Sequence, residues 1–144
     1  MDSLPIYLDT NVLIALVEPV APLTPNQRLF VEQLDAGALF AVTSEIALAE
    51  CLVKPLADDV AHTVRAYYAL FAAQSWLMAM PVSRAILIES AALRATHRMG
   101  LPDAIHVASA RLVEASTFVT DDRRLPVPAL EKASWSDLPV LERR

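Results

Sequence analysis

Short apolar runs alternate along the chain with longer stretches in which apolar residues recur every third or fourth position. Ile6-Tyr7-Leu8 is the first such run and reads as a buried strand; the second run, residues 12–17, follows almost at once and reads as a helix. Between them lies Asp9-Thr10-Asn11, so an acid stands where the strand stops, and Thr10 or Asn11 is placed to cap the helix. Residues 18–25 form a proline-rich loop. Thr24, Pro25 and Gln27 then make a helix start, and that helix runs to about Ala36, before Gly37. Residues 39–43 are a second strand, after which Thr43 or Ser44 caps a helix over 45–54 that Pro55 ends. Val60, Val64, Tyr67, Tyr68 and Phe71 mark the apolar face of a long helix over about 58–74. Residues 76–82 read as a third strand, Ser83 caps a helix over 84–99, and a further helix over 103–115 follows Leu101-Pro102. Residues 117–120 are the last buried strand, and the tail offers an edge strand near 133–135. Strands alternating with helices define an α/β fold on a mostly parallel sheet of about five strands.

At 144 residues the chain fits one domain, residues 1–144, with a continuous core. A content of 55% apolar and 20% charged residues excludes a disordered chain. No apolar run reaches the roughly 18 residues of a membrane span, so no membrane role is expected. Asp2, with no Lys or Arg before the first strand, leaves no visible secretory signal. Cys51 stands alone, which excludes an intrachain disulfide and a cysteine-rich zinc site. A cytoplasmic protein is the expectation.

The net charge of −5 argues against broad non-specific nucleic-acid binding, which depends on Lys and Arg neutralising phosphates. That sum hides an asymmetry. Residues 1–72 carry three basic groups against nine acidic ones, whereas residues 73–144 carry nine against eight. A phosphate-facing surface would therefore draw on Arg94, Arg98, Arg111, Arg123 and Arg124.

Acids stand out at four places. Asp9 ends the first strand, Glu50 interrupts the apolar helix segment IALAECLV, Asp103 lies in the first turn of a helix, and Asp121-Asp122 follow the last buried strand. Each has an ordinary explanation alone: a helix-dipole partner for Asp103, solvent for Glu50, turn chemistry for the aspartate pair. Asp9 stands where ligands bind in open α/β sheets, beyond the carboxyl end of a strand, and jointly two acids after strands, one at a helix start and one inside an apolar helix are more than solubility requires. Clustered carboxylates raise one another's pKa unless a cation intervenes. Mg²⁺ prefers oxygen ligands and is usually bound through one or two carboxylates plus substrate phosphate. Such an ion acidifies a water into a nucleophile and neutralises phosphate oxygens, so the acids point to phosphodiester hydrolysis.

Four segments, YLDTNVLIAL (7–16), TSEIALAE (43–50), LPDAIHVASA (101–110) and FVTDDRRL (118–125), carry a family resemblance across nearly the whole chain. In order and spacing they resemble the PIN-domain family, in particular the VapC-type ribonuclease toxins of bacterial toxin–antitoxin pairs. The resemblance implies a three-layer α/β/α fold. It matches Asp9, Glu50 and Asp103 to the acids of a catalytic metal site and Asp122 to a fourth. Asp121 occupies the variable position before it. Asn11 and Thr120 match positions that support the acids by hydrogen bonding, with Ser44 a further candidate. It also implies a Mg²⁺- or Mn²⁺-dependent endoribonuclease leaving 5′-phosphate and 3′-hydroxyl ends, and a homodimer. Its partner would be an antitoxin whose C-terminal segment wraps the toxin and blocks its site. One departure is Asp121-Asp122-Arg123-Arg124, where the family pattern often ends in an aromatic residue. It leaves the choice between Asp121 and Asp122 open.

Two rival enzyme classes fit less well. A haloacid-dehalogenase-type phosphatase also uses an aspartate after its first strand but needs an acid two residues on, where this chain has Asn11. A response-regulator receiver needs an early acidic pair and a late lysine, and only Lys132 is late. A catalytically silent PIN-like binding module is the remaining alternative; it would show no stabilisation by Mg²⁺ or Mn²⁺. His62 and His97 read as surface residues, and His106, one turn beyond Asp103, reads as lying outside the pocket. Cys51 reads as a small core residue, and Tyr67, Tyr68, Phe71 and Trp76 as core or interface. The apolar helices over 45–54 and 58–74 predict a groove that receives an apolar antitoxin helix.

Overall fold

The computed structural model describes residues 3–73 and 75–143. Asp2, Gln74 at the predicted end of the 58–74 helix, and the last tail residue, Arg144, lie outside the described residues. Strand β1 (Ile6–Leu8) leads into helices α1 (Thr10–Val17) and α2 (Pro25–Asp35), and β2 (Ala41–Ser44) into α3 (Ile46–Ala57) and α4 (Ala61–Leu70). Strand β3 (Leu77–Met80) is followed by α5 (Arg84–Thr96) and α6 (Leu101–Leu112), then by β4 (Thr117–Val119) and β5 (Lys132–Ala133). The five strands form one parallel sheet in the order β3-β2-β1-β4-β5.

That order reverses at β1. The chain steps from β1 to β2 to β3 in one direction and then returns to pair β4 on the other side of β1. Right-handed crossovers consequently place α1 to α4 on one face and α5 and α6 on the other. Side chains of β1 alternate between the two faces, as strand geometry requires. Ile6 and Leu8 pack with Val12, Leu13, Phe30, Ala47, Cys51 and Tyr67, while Tyr7 packs with Val42, Ile86, Leu93, Ala104 and Phe118. The result is a three-layer α/β/α sandwich. Because every strand is parallel, all carboxyl ends lie on one edge, and the crevice between β1 and β4 is the switch point where α/β sheets bind ligands.

Several boundaries differ from those read in the sequence. Asp9 itself caps α1: it leaves the strand with extended dihedrals, and its carboxylate accepts from the Thr10 amide. Neither Thr10 nor Asn11 takes that role, because Thr10 is already helical. Pro55 lies inside α3 rather than ending it; its ring is buried, and the helix forgoes only the bond a proline nitrogen cannot donate to the Cys51 carbonyl. The break comes at Asp59, whose left-handed φ of 55° separates α3 from α4 and shortens the helix predicted over 58–74. Helix α5 stops at Thr96, whose hydroxyl bonds back to the Ala92 carbonyl while His97 becomes extended. Helix α2 starts as read, with both hydrogen bonds of the Thr24–Gln27 capping box formed.

The tail closes the α1–α4 face. Trp135 meets Phe30 edge to face at 6.1 Å, and the buried Gln27 donates to the Trp135 carbonyl at 2.7 Å. Asp121 fastens the same segment through Ser134 and Ser136.

Candidate active site

Asp9 leaves β1 with its amide bonded to the Val119 carbonyl of β4, so the switch point fixes the backbone before the side chain contributes. The residue is 5% exposed. Oδ1 accepts from the Thr10 amide at 2.8 Å, and Oδ2 accepts from the Thr120 hydroxyl at 2.8 Å and from Asn11 Nδ2 at 3.3 Å. Bonds to a charged acceptor are the strong kind, and they compensate the desolvation of a nearly buried charge.

Thr120, just past β4, ties these elements together. Its hydroxyl donates to Asp9 and accepts from Asn11 Nδ2 at 3.1 Å and from the Asp122 amide at 3.0 Å. Asn11 and Thr120 thus both hold Asp9. Asn11 carries no acidic function and is occupied with Asp9, Thr120 and the Asp121 amide, which removes the second acid that haloacid-dehalogenase chemistry needs.

Glu50 reaches the same place from the middle of α3. Its Oε1 accepts from the Thr10 hydroxyl at 2.7 Å and from His106 Nε2 at 2.7 Å. Burial pushes the Glu50 carboxyl up, but hydrogen bonds from His106 and Thr10 outweigh it and hold the group below the ordinary glutamate range. Asp103 enters from the first turn of α6. Burial raises its pKa, and the charges of Asp9, Asp122 and Glu50 raise it further, with His106 opposing. Asp103 therefore sits in the field of all three other acids.

Two supporting candidates sit elsewhere. Asp121 reaches Asn11 only through its backbone amide. Its carboxylate turns to the tail, accepting from the Ser134 hydroxyl and from the amide and hydroxyl of Ser136. Burial works against that charge, but the bonds from Ser136, Ser134 and the Trp135 backbone hold the carboxyl below its ordinary value. Asp122 is the member of the pair whose charge Asp103 feels. Ser44 is fully buried at the end of β2, and its hydroxyl accepts from the Ile46 amide, a local turn contact made at the start of α3.

His106 corrects the sequence reading. It lies inside the site, 1% exposed, with Nε2 bonded to Glu50 and 3.7 Å from Asp9 Oδ1. The available signal was its spacing: three residues after Asp103, it shares that residue's face of α6. Thr10 and Tyr7, which the sequence offers only as a helix cap and a strand residue, both bond His106.

The donor set suits a hard cation. The oxygens not taken by protein donors are those of Asp103, Oδ2 of Asp122 (its Oδ1 accepts from the Arg124 amide) and Oε2 of Glu50, and burial, then the neighbouring acids, raise the Asp103 pKa. Among the described residues no three His, Cys, Asp or Glu side chains are gathered so as to hold a metal ion by themselves, so an ion here would also need ligands from water or substrate phosphate. An open carboxylate site matches Mg²⁺, which retains waters, rather than tetrahedral zinc.

Carboxylates grouped at the carboxyl edge of a parallel sheet, at its switch point, define a class of α/β sites built around acids. The chain belongs to the PIN-domain family, whose model matches residues 6–129. A search of curated proteins finds no match. Several solved structures share the fold. A toxin–antitoxin complex from Klebsiella pneumoniae is 23% identical, with a TM-score of 0.67 over 92% of this chain and 99% of that one. VapBC2 from Rickettsia felis, bound to a DNA fragment from its promoter, is 20% identical, with a TM-score of 0.67 over 90% and 98%. VapC20 from Mycobacterium tuberculosis, described as a sarcin-ricin loop cleaving toxin, is 16% identical, with a TM-score of 0.67 over 87% and 95%.

Proposed function

We propose that this chain is a Mg²⁺-dependent endoribonuclease, with Mn²⁺ able to replace Mg²⁺, acting as the toxin of a type II toxin–antitoxin pair. The observation that carries the reading is the gathering of Asp9 and Glu50 around His106, with Asp122 joined to Asp9 through the Thr120 hydroxyl and Asp103 in the field of all three acids. Those four side chains would hold the ion. When bound, the ion supplies charge to the scissile phosphate and lowers the pKa of an attacking water. The chain's own residues do the rest. Thr120 and Asn11 fix Asp9, the α6 N-terminus presents Asp103, and Thr10 aims Glu50.

Local cations, rather than overall charge, would draw RNA to the pocket. Arg123 and Arg124 adjoin Asp122 on the exposed loop after β4. Arg94, His97 and Arg98 line a cleft of about 720 Å³ between the end of α5 and the start of the helix that carries Asp103. Two fold neighbours, VapBC2 from Rickettsia felis and VapBC from Salmonella typhimurium, support an antitoxin partner. So do Val53 and Leu56 of α3 and Tyr68 of α4, large apolar side chains left more than half exposed. Exposed Met78 on edge strand β3 and Leu87 and Ile88 on α5 support a homodimer. No helix among the described residues is long and apolar enough to cross a membrane. An RNA substrate and a protein partner fit action in the cytoplasm.

The test is cleavage of single-stranded RNA by the purified chain. Wild type should cut in Mg²⁺ and stop in EDTA, and Asp9→Asn should abolish cleavage while its circular dichroism is unchanged. Cleavage by wild type in EDTA, or by the Asp9→Asn variant in Mg²⁺, would refute the mechanism.

A further inference from the structure

Behind the acids lies a polar chain that enters the hydrophobic layer and that the ribonuclease reading does not require. Tyr7 and His106 are 0% and 1% exposed, among apolar neighbours of the α5–α6 face. Tyr7 is fixed by stacking on Phe118, with centroids 5.1 Å apart and planes 11° apart, and it meets the His106 ring at 5.8 Å and 74°. Its hydroxyl is 2.7 Å from His106 Nδ1, and His106 Nε2 is 2.7 Å from Glu50 Oε1.

With the imidazole neutral, these contacts fix its tautomer. A ring nitrogen 2.7 Å from a carboxylate oxygen carries hydrogen, so Nε2–H donates to Glu50. In the neutral ring Nδ1 is then an acceptor, and the Tyr7 hydroxyl donates to it. The Thr10 hydroxyl has one proton and gives it to Glu50 Oε1, so at 3.0 Å its oxygen serves as a second acceptor for Nε2–H. Every donor in the chain points outward from the core to the carboxylate. Both donors converge on Oε1, and no hydrogen bond to Oε2 is recorded among the described residues.

We propose that His106 is the positioning residue of the acidic site: backed by Tyr7, it locks Glu50 with Oε1 bonded to protein and Oε2 turned free for a divalent cation. A glutamate in the middle of an α-helix would otherwise distribute among rotamers, and ordering it would cost conformational entropy each time an ion binds. Hydrogen-bonded partners behind metal ligands commonly contribute 10- to 100-fold in affinity. The backing donor here is an imidazole whose tautomer is set by a buried tyrosine rather than by solvent.

This inference rests on the cation-binding reading and is tested by equilibrium binding of Mn²⁺ alone, read from the electron paramagnetic resonance signal of the free ion. Wild type should bind. His106→Ala should bind about 10- to 100-fold more weakly. His106→Met, which fills the space without a donor, should resemble alanine, and His106→Gln, whose amide can donate to Oε1, should recover most of the affinity. Tyr7→Phe should give a smaller loss, since Nε2–H survives but its tautomer is no longer enforced. If His106→Ala does not fold, the Gln–Met comparison decides by itself, because both retain volume and differ in the donor. Wild-type affinity in folded His106→Met or His106→Ala would overturn the role of His106. Absence of Mn²⁺ binding by wild type is a different result: it would remove the cation reading, and this inference with it.

Discussion

Replacing Thr120 by valine tests how the switch point holds its acid. The residue is 2% exposed, and the change leaves the shape nearly constant while deleting a hydroxyl that makes three hydrogen bonds. The bond donated to the Asp9 carboxylate is charge-assisted and contributes about 1.5–3 kcal/mol. Those accepted from Asn11 and from the Asp122 amide are neutral, and their donors lie near solvent, so they add about 0.5 kcal/mol each. Asp9 Oδ2 keeps only the longer Asn11 contact, at 3.3 Å, for a charge that stays buried. The expected loss is about 2.5–4 kcal/mol, or roughly 8–14 °C in melting temperature for a domain of this size. Urea unfolding followed by the fluorescence of Trp76 and Trp135 measures it, with Thr120→Ser as the control that keeps the oxygen and falls by less than about 1 kcal/mol. A Thr120→Val protein within about 0.5 kcal/mol of wild type would show that the hydroxyl is not what holds Asp9.

Two further predictions follow from the electrostatics. Asp103 has a folded-state pKa above its unfolded value, so it favours folding only below the ordinary carboxylate range and loses that contribution as pH rises through the folded pKa. At neutral pH the ionised group is a net cost in metal-free protein. Asp103→Asn should therefore melt higher than metal-free wild type at pH 7 while losing cleavage, and an equal or lower melting temperature would contradict that. Burial, then the charges of Glu50 and Glu18, pushes the Cys51 thiol up to about 12. Native protein at pH 8 should leave Cys51 unreactive toward a disulfide reagent until denaturant is added, and rapid native labelling would place the thiol elsewhere.

The sheet, its parallel sense and the acids at strand ends were legible because each depends on local pattern. Ile6-Tyr7-Leu8 is too short and too apolar to be anything but a buried strand, and an acid directly after it is visible without tertiary information. Pro55 and Asp59 were misread because the decision between them is tertiary. Proline is tolerated where its ring is buried in a last turn, and aspartate ends the helix by adopting a conformation that no periodicity reports. His106 lay in a segment buried continuously from Ala104 to Ala110, where a histidine resembles any core residue until Tyr7 and Glu50 are brought against it from positions 99 and 56 residues away. The roles of Asp121 and Asp122 were equally hidden. Adjacent side chains diverge, and what claims Asp121 is Ser136, 15 residues further on.

The most direct measurement is a crystal soaked in Mn²⁺ and recorded at the manganese absorption edge. An anomalous peak should lie between the carboxylates of Asp9, Glu50 and Asp103 and be lost in Asp9→Asn crystals. Manganese found only at surface carboxylates outside that crevice, with the crevice itself holding none at saturating ion, would contradict it.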